Sequence, residues 1–321
     1  MEKQIKYIAV DSGKSNTKYA WFDENKPSKK NISANNFKSV VVEAVLDGVS
    51  ATDNLLVYRG IAYDVGGADE RALESNNSKL TEDHKLFVYT AIAKVLQEMN
   101  LGDINETHHI DLSINVPLAE FKSLKDEYIK EYRGKDVTLE LNNQEINFVI
   151  ENVRLGYEGS GAIIRNVDDE AAQSHIVDIG GKNDTHILFQ GFKPVPGKNH
   201  MTNNGVLTLL QQIASDLSES HDITINEIEK VIEGNLPKPM SFDEIFKRRA
   251  KQHVVMIKNQ VQKYKINPLF TTIIFSGGGS ILLKDQLKKA FEEYTTKFPA
   301  DAQFDNCKGM LERVFNEVII T

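Results

Sequence analysis

The sequence predicts an α/β protein of two domains that share one design. An apolar strand, an aspartate, a short glycine-containing loop and a second strand occur at Asp11, and the same order returns at Asp178. Helical patterns with a 3.6-residue period alternate with strands. A length of 321 residues also exceeds what one hydrophobic core usually organises. We therefore expect two facing domains, with both aspartate loops at a cleft between them.

The first half begins with a hairpin, because apolar strands at 6–10 and 17–22 flank a polar turn. Apolar residues at helical spacing after Thr81 predict an amphipathic helix, and Asn142 with Asn143 predicts a second hairpin turn. The other predicted elements of this half are strands at 39–46, 54–58, 109–116, 136–141 and 145–153, and a helix at 120–132.

The second half contains the repeated hairpin and is otherwise mostly helical. A strand at 271–275 leads into three glycines. The predicted helices lie at 159–166, 206–217, 225–233, 242–263 and 283–294. We expect a first domain of residues 1–165 with 305–321, and a second of residues 166–304.

Composition excludes several classes of function. The chain has 38 basic and 46 acidic residues, a net charge of -8, and no Lys/Arg-rich run, so direct binding to DNA is not expected. No stretch approaches the roughly 20 apolar residues of a membrane span, and no membrane contact is expected. The one cysteine, Cys307, is expected to be a buried structural thiol of a cytoplasmic protein.

The first aspartate loop has the residues of a phosphate site. A tight Gly/Ser turn presents backbone N–H groups to phosphate oxygens, a lysine reaches a terminal phosphate, and a carboxylate holds hydrated Mg²⁺. A polar hairpin turn is the competing interpretation of this loop taken alone. The candidate residues are Asp11, Ser12, Gly13, Asn16 and Lys18.

Three further motifs follow in the order that a nucleotide site requires. A second aspartate loop completes a clamp on a polyphosphate, and a glycine run after a strand accommodates a nucleoside. Glu158, before a glycine-rich helix start, is a candidate to orient the water that attacks a terminal phosphate, or alternatively a residue that interacts with the helix dipole. The residues of the loop and the run are Asp178, Gly180, Gly181, Lys182, Asn183, Gly277, Gly278 and Gly279.

These motifs, in this order, resemble the superfamily of actin, Hsp70 and the sugar kinases, and most closely the ParM-type actin-like plasmid segregation ATPases. Runs at 32–38, 115–121 and 204–206, with Phe304-Asp305 and Gly309-Met310, extend the likeness over essentially the whole chain. The resemblance implies an actin-like ATPase fold of two facing RNase H-like domains around a nucleotide cleft.

The resemblance also implies roles and partners. Asp11 and Asp178 would hold Mg²⁺ through water, Lys18 would contact phosphate, and Glu158 would position the hydrolytic water. Gly205 would line the nucleoside with the glycine run. The implied activity is ATP or GTP hydrolysis within a head-to-tail filament of the protein itself, linked to a plasmid centromere by a ParR-like DNA-binding adaptor.

The second loop departs from the family pattern. Lys182 and Asn183 replace small hydroxyl residues, and Asp184 stands one position before the expected aspartate, where Thr185 is found. The sequence leaves a small-molecule kinase of the same superfamily open as an alternative, because cleft chemistry does not reveal whether water or a hydroxyl attacks. It also leaves open the preferred base and the geometry of the filament.

Overall fold

The computed structural model describes residues 4–23, 27–44, 54–67, 78–101, 106–168, 172–218 and 223–319. Its strands are β1 (Ile5–Ser12), β2 (Asn16–Phe22), β3 (Ile32–Lys38), β4 (Val41–Glu43), β5 (Leu55–Tyr58), β6 (Ile61–Val65), β7 (Thr107–Val116), β8 (Asp136–Leu141), β9 (Gln144–Tyr157), β10 (Gln173–Ile179), β11 (Asp184–Gln190), β12 (Lys193–Thr202), β13 (Thr271–Ser276) and β14 (Thr295–Lys297). Its α-helices are α1 (Glu82–Glu98), α2 (Lys125–Tyr132), α3 (Ser160–Asn166), α4 (Val206–Leu217), α5 (Ile225–Ile232), α6 (Phe242–Gln262), α7 (Gly278–Leu282), α8 (Lys284–Ala290) and α9 (Asp305–Val314).

The chain divides into two compact units, and their sheets repeat one topology. Unit 1 is Met1–Arg165 with Phe304–Thr321, and unit 2 is Asn166–Gln303. In unit 1 the sheet runs β3-β2-β1-β7-β9 before its further strands, and in unit 2 it runs β12-β11-β10-β13-β14. In both, the first three strands are antiparallel and the next two are parallel. Each aspartate loop therefore joins the third and second strands in these orders, β1 to β2 in unit 1 and β10 to β11 in unit 2.

The core of unit 1 has a layer of side chains on each face of its sheet. Along β1, Ile8 and Val10 belong to the cluster that includes α1, whereas Ala9 belongs to the cluster with Met310 and Leu311 of α9. This alternation follows from the two-residue period of a strand. β1 is thus covered on both sides, and Asp11, the residue before its last, is buried.

The core of unit 2 joins β10 and β13 to several helices. Apolar side chains of α4, α5, α6 and α8 cover a face of the sheet that includes Val177, Ile179, Ile273 and Phe275. Because β10 and β13 are parallel neighbours, Asp178 pairs with Ser276, directly before the glycine run. The second aspartate loop and the glycine run consequently start at the same sheet edge.

Most predicted elements are present with small changes at their ends. Both aspartate hairpins are confirmed as antiparallel pairs. Thr81 caps α1 by accepting a hydrogen bond from the His84 backbone N–H. Asn142 and Asn143 have φ of 54° and 64°, which confirms the predicted turn.

Two predicted helices were wrong in extent. The helix expected at 120–132 begins at Lys125, because the Pro117 carbonyl first closes a turn with Glu120 and Phe121. The helix expected at 283–294 is the shorter α8, Lys284–Ala290, and the short α7 before it was not predicted. The strand expected at 39–46 is the shorter β4, and residues 45–46 lie outside the described ranges. Strands β3, β6, β12 and β14 and helix α9 were not predicted as elements.

Candidate functional site

The first loop is a tight turn whose backbone is pinned from outside. The Gly13 N–H donates to the Asp11 carbonyl at 2.9 Å, and the Ser39 hydroxyl donates to the Gly13 carbonyl at 2.6 Å. A Cβ at Gly13 would lie 2.8 Å from the Asn16 carbonyl, so a side chain does not fit there. Within the hairpin, Asp11 and Lys18 are directly opposite each other. The turn brings the predicted carboxylate and the predicted phosphate lysine together.

A buried lysine joins Asp11 to Glu158. The Lys79 Nζ lies 3.2 Å from Asp11 Oδ1, 3.3 Å from Glu158 Oε1 and 3.1 Å from the Asn115 carbonyl oxygen. The Lys79 side chain is 6% exposed and that of Glu158 is 24% exposed. Two carboxylates that are far apart in sequence therefore share one cation, and one of them still reaches solvent.

Two lysines and Asn306 keep Asp11 ionised. Burial by itself would raise the pKa of Asp11, but the charges of Lys79 and Lys18 and the hydrogen bonds from Lys79 and Asn306 lower it below its ordinary value. Burial would likewise lower the pKa of Lys79, yet Asp11 and Glu158 raise it above its usual range. The pair is charged at neutral pH, as a buried ion pair with several hydrogen bonds should be.

Asn306, on α9, closes a ring around this cation. Its Nδ2 donates to Asp11 Oδ2 at 3.4 Å, and its Oδ1 accepts from the Gly159 N–H at 3.0 Å, directly after Glu158. Gly159 has a φ of 84°, which favours glycine at this bend. The ring runs from Asp11 through Lys79, Glu158 and Gly159 to Asn306 and back to Asp11.

The second loop rests on the N-terminus of α4. The Gly180 N–H donates to the Asn183 carbonyl at 2.9 Å, which closes the loop. The N–H groups of Val206 and Leu207 donate to the carbonyls of Gly180 and Gly181. A Cβ at Gly205 would overlap the backbone of Gly181 and Lys182. Gly205 therefore has a packing role beneath the loop, and its contact with a nucleoside remains a prediction.

The unusual position of Asp184 has a structural consequence. Thr185 is paired with Asp178 across the hairpin, and Asp184 is paired with Ile179. Because successive strand residues point to opposite faces, a shift of one position turns the side chain over. The Asp184 carboxylate is fully buried, accepts from the Thr202 hydroxyl and lies 3.2 Å from His186 Nε2. It anchors β11 to β12 instead of facing the side of Asp178.

The three glycines after β13 have different surroundings. A Cβ at Gly277, which has a φ of 79°, would lie within 2.5 Å of an Asp178 carboxylate oxygen and the Ile179 carbonyl. At Gly279 it would lie within 3.0 Å of the side chains of Ile179 and Val206. At Gly278 the nearest atom is 4.0 Å away. Packing within unit 2 therefore explains two of these glycines, and contact of Gly278 with a nucleoside remains a prediction.

Sequence reasoning missed two residues of this site, Lys79 and Asn306. Ser78-Lys79-Leu80 carries no motif, and Asn306 directly follows the shared Phe304-Asp305. The available signal was general and not local: a buried carboxylate such as Asp11 requires a cation that the hairpin alone does not fully supply.

Comparison with known proteins identifies relatives of this fold. Residues 9–161 match the family described as the N-terminal domain of actin-like proteins, a range that includes the first loop, Lys79 and Glu158. The structure of Bacillus thuringiensis ParM with ATP matches with a TM-score of 0.75 and 16% identity, over 99% of this chain and 100% of that chain. The protein has the actin-like ATPase fold. The predicted fold class and the likeness to ParM-type proteins are confirmed.

Other solved structures with this actin-like fold match over nearly the whole chain. The filament structure of Alp12 has a TM-score of 0.71 and 18% identity, over 98% of this chain and 99% of that chain. An archaeal actin homolog in complex with ADP has a TM-score of 0.76 and 14% identity, over 97% of this chain and 100% of that chain. No curated protein matches the sequence. Within the described residues, no helix combines the length and apolar character needed to span a bilayer.

Proposed function

We propose that this protein is a cytoplasmic, nucleotide-driven, filament-forming actin-like protein that segregates plasmid DNA and hydrolyses ATP or GTP within the polymer. The observation that carries the proposal is the ring described above, hereafter the cage, of Asp11, Lys79, Glu158, Gly159 and Asn306 in unit 1. In it Lys79 joins an ionised Asp11 to a Glu158 that reaches solvent. The likeness to the Alp12 filament supports self-association, for which we propose a head-to-tail arrangement.

The residues fit a magnesium nucleotide. Mg²⁺ usually keeps several waters and takes one or two carboxylates besides phosphate oxygens. Among the described residues there is no group of three or more potential metal ligands. Asp11 and Asp178 are each the next-to-last residue of the first strand of their hairpin. Asp11 and Asp178 would hold the ion through water. When bound, Mg²⁺ would neutralise charge that develops on the phosphates.

Glu158 is the residue we assign to water positioning. Its carboxylate is anchored by Lys79 on one oxygen, and the partial exposure of its side chain leaves room for a water to donate to it. Because phosphoryl transfer proceeds through a loose transition state, orientation of the nucleophile is most of the task. Lys18, opposite Asp11, is assigned to phosphate contact, with the backbone of Ser12, Gly13 and Asn16 around it.

The first test is assembly. Addition of ATP or GTP with Mg²⁺ to the purified protein should raise light scattering above a critical concentration, with polymer in the pellet. A kinase would instead stay in solution and accelerate nucleotide turnover when its acceptor is present. Protein that neither assembles nor hydrolyses nucleotide would refute the proposed function.

The second test is Glu158→Ala. We expect filaments that form normally and persist, with phosphate release slowed by about a hundredfold or more. Glu82→Ala is the matched control, because Glu82 is an exposed carboxylate of the same unit that pairs with Lys85. Unchanged release and disassembly in Glu158→Ala would remove Glu158 from this role.

A link to DNA is assigned to a separate adaptor of the ParR type. The net charge of -8 opposes binding to a phosphate backbone. We expect weak binding of plain plasmid DNA by the purified protein at physiological salt. Tight, salt-sensitive binding without an adaptor would contradict this part of the proposal.

A further inference from the structure

We propose that Lys79 is a positioning residue that holds Glu158 in its working orientation through a cage shared with Asp11, an inference that rests on the proposed function. Lys79 itself need not contact the nucleotide. Its action would be exerted through Glu158, and Asn306 would brace the same arrangement from α9.

The ammonium of Lys79 is fully committed. An ammonium group has three donors, and Lys79 has three acceptors within 3.3 Å, namely Asp11, Glu158 and the Asn115 carbonyl. The lysine is also held at its backbone, because its N–H donates at 3.1 Å to the hydroxyl of the buried Tyr128. Tyr128 in turn donates to the Glu120 carboxylate. Because both its backbone N–H and its ammonium group are hydrogen-bonded, Lys79 can hold the carboxylates that it contacts in fixed positions.

Glu158 is fixed on both sides of its side chain. Its own N–H donates to the Val116 carbonyl at 3.1 Å, and the next N–H, of Gly159, donates to Asn306 Oδ1 at 3.0 Å. Lys79 contacts the Oε1 atom of Glu158, which leaves the second carboxylate oxygen for a water. The backbone hydrogen bonds thus fix the position of the Glu158 main chain, and Lys79 fixes the position of its carboxylate.

Loss of the lysine would release that carboxylate. Asp11 and Glu158 both lie within hydrogen-bond distance of the same nitrogen, so without Lys79 two negative charges would face each other in a largely buried space. Asp11 is buried and remains held by Asn306. Glu158, which already reaches solvent, would be the group that turns away.

The experiment compares Lys79→Met with Lys85→Met. Methionine has a similar length and no charge, and Lys85 is a second lysine of unit 1 whose ion pairs, with Glu82 and Glu131, lie outside the cage. For Lys79→Met we expect phosphate release in a single turnover to slow by about a hundredfold, with the dissociation constant for a fluorescent ATP analogue within about threefold of wild type. Filaments of this variant should persist. Lys85→Met should match wild type in all three measurements.

A double variant separates positioning from a general loss of structure. If Lys79 acts through Glu158, then Lys79→Met combined with Glu158→Ala should release phosphate no more slowly than Glu158→Ala alone. Multiplied effects, or a Lys79→Met variant with normal phosphate release, would overturn the proposal.

A second variant covers a failure to fold. If Lys79→Met does not fold, Lys79→Gln, which keeps two donors, takes its place in the same comparison with Glu158→Ala. Lys79→Arg, which keeps the cation, should recover at least a tenth of wild-type release. Wild-type protein without nucleotide-dependent assembly or hydrolysis would instead refute the proposed function itself, so the two failures are distinguishable.

Discussion

Gly309→Ala should loosen the packing of α9 within unit 1. Gly309 lies where α9 crosses α3, in direct contact with Gly161. A Cβ at Gly309 would lie within 2.6 Å of three backbone atoms of Gly161. Those atoms belong to a helix backbone, so they have no side chain to swing aside. The two helices would have to move apart by about 1 Å, a strained form of overpacking.

The magnitude follows from what α9 covers. Cys307 and Leu311 are fully buried, and Met310 nearly so, against Ala9 and Ala20 of the sheet. Overpacking typically costs about 1–3 kcal/mol, and a clash between two backbones belongs at the upper end. A loss of about 3 kcal/mol multiplies the local opening of α9 by roughly a hundredfold.

Cys307 provides the assay. It is the single cysteine of the chain, and burial raises the pKa of its thiol to about 12. A buried thiol with such a pKa reacts with a thiol reagent only when α9 opens. The rate of modification under native conditions should therefore rise about a hundredfold in Gly309→Ala. Trp21, the single tryptophan and a core residue of unit 1, should report a lower urea midpoint.

Gly60→Ala is the control for the effect of an added side chain on backbone conformation. Gly60 has a φ of 78° and no atom within 4 Å of an added Cβ, so this variant carries conformational strain without a clash. Its Cys307 should react at the wild-type rate. If Cys307 reactivity in Gly309→Ala stays within threefold of wild type, the close contact of α3 and α9 does not control the opening of α9. The reasoning would then fail.

Two further predictions concern unit 2. Burial lowers the pKa values of His175, His200 and His253, so these rings are neutral in the folded state and gain protons on unfolding below their ordinary pKa of about 6.5. Stability should fall below that pH, and the fully buried His175 should contribute up to about 1.4 kcal/mol per pH unit. Urea titrations followed by circular dichroism should show a smaller slope for His175→Leu, and an equal slope would contradict the assignment. Gly278→Ala should melt like wild type yet bind nucleotide at least tenfold more weakly, whereas Gly279→Ala should lower the melting temperature; normal nucleotide affinity in Gly278→Ala would exclude a ligand at that glycine.

The local pattern of the sequence was sufficient to identify both aspartate hairpins. Each depends on neighbouring residues: alternating apolar strands, a small polar turn and a carboxylate at the end of the first strand. The matching order of five strands in each sheet extends that local repeat beyond the hairpins. Glu158 and Gly277 were proposed as site residues for the same reason, since each stands at a junction that its own neighbours define.

The tertiary structure decided which distant residues complete the site. Lys79 reaches Asp11 across 68 positions of sequence, and Asn306 reaches it across 295. Neither has a local signature, because the desolvation of a buried carboxylate is compensated by whichever donors the fold brings to it. Sequence alone therefore determined the loops and the class of fold, whereas long-range packing of α9 and of the segment before α1 determined the charges that hold them, since burial and pairing exist only after the chain has folded.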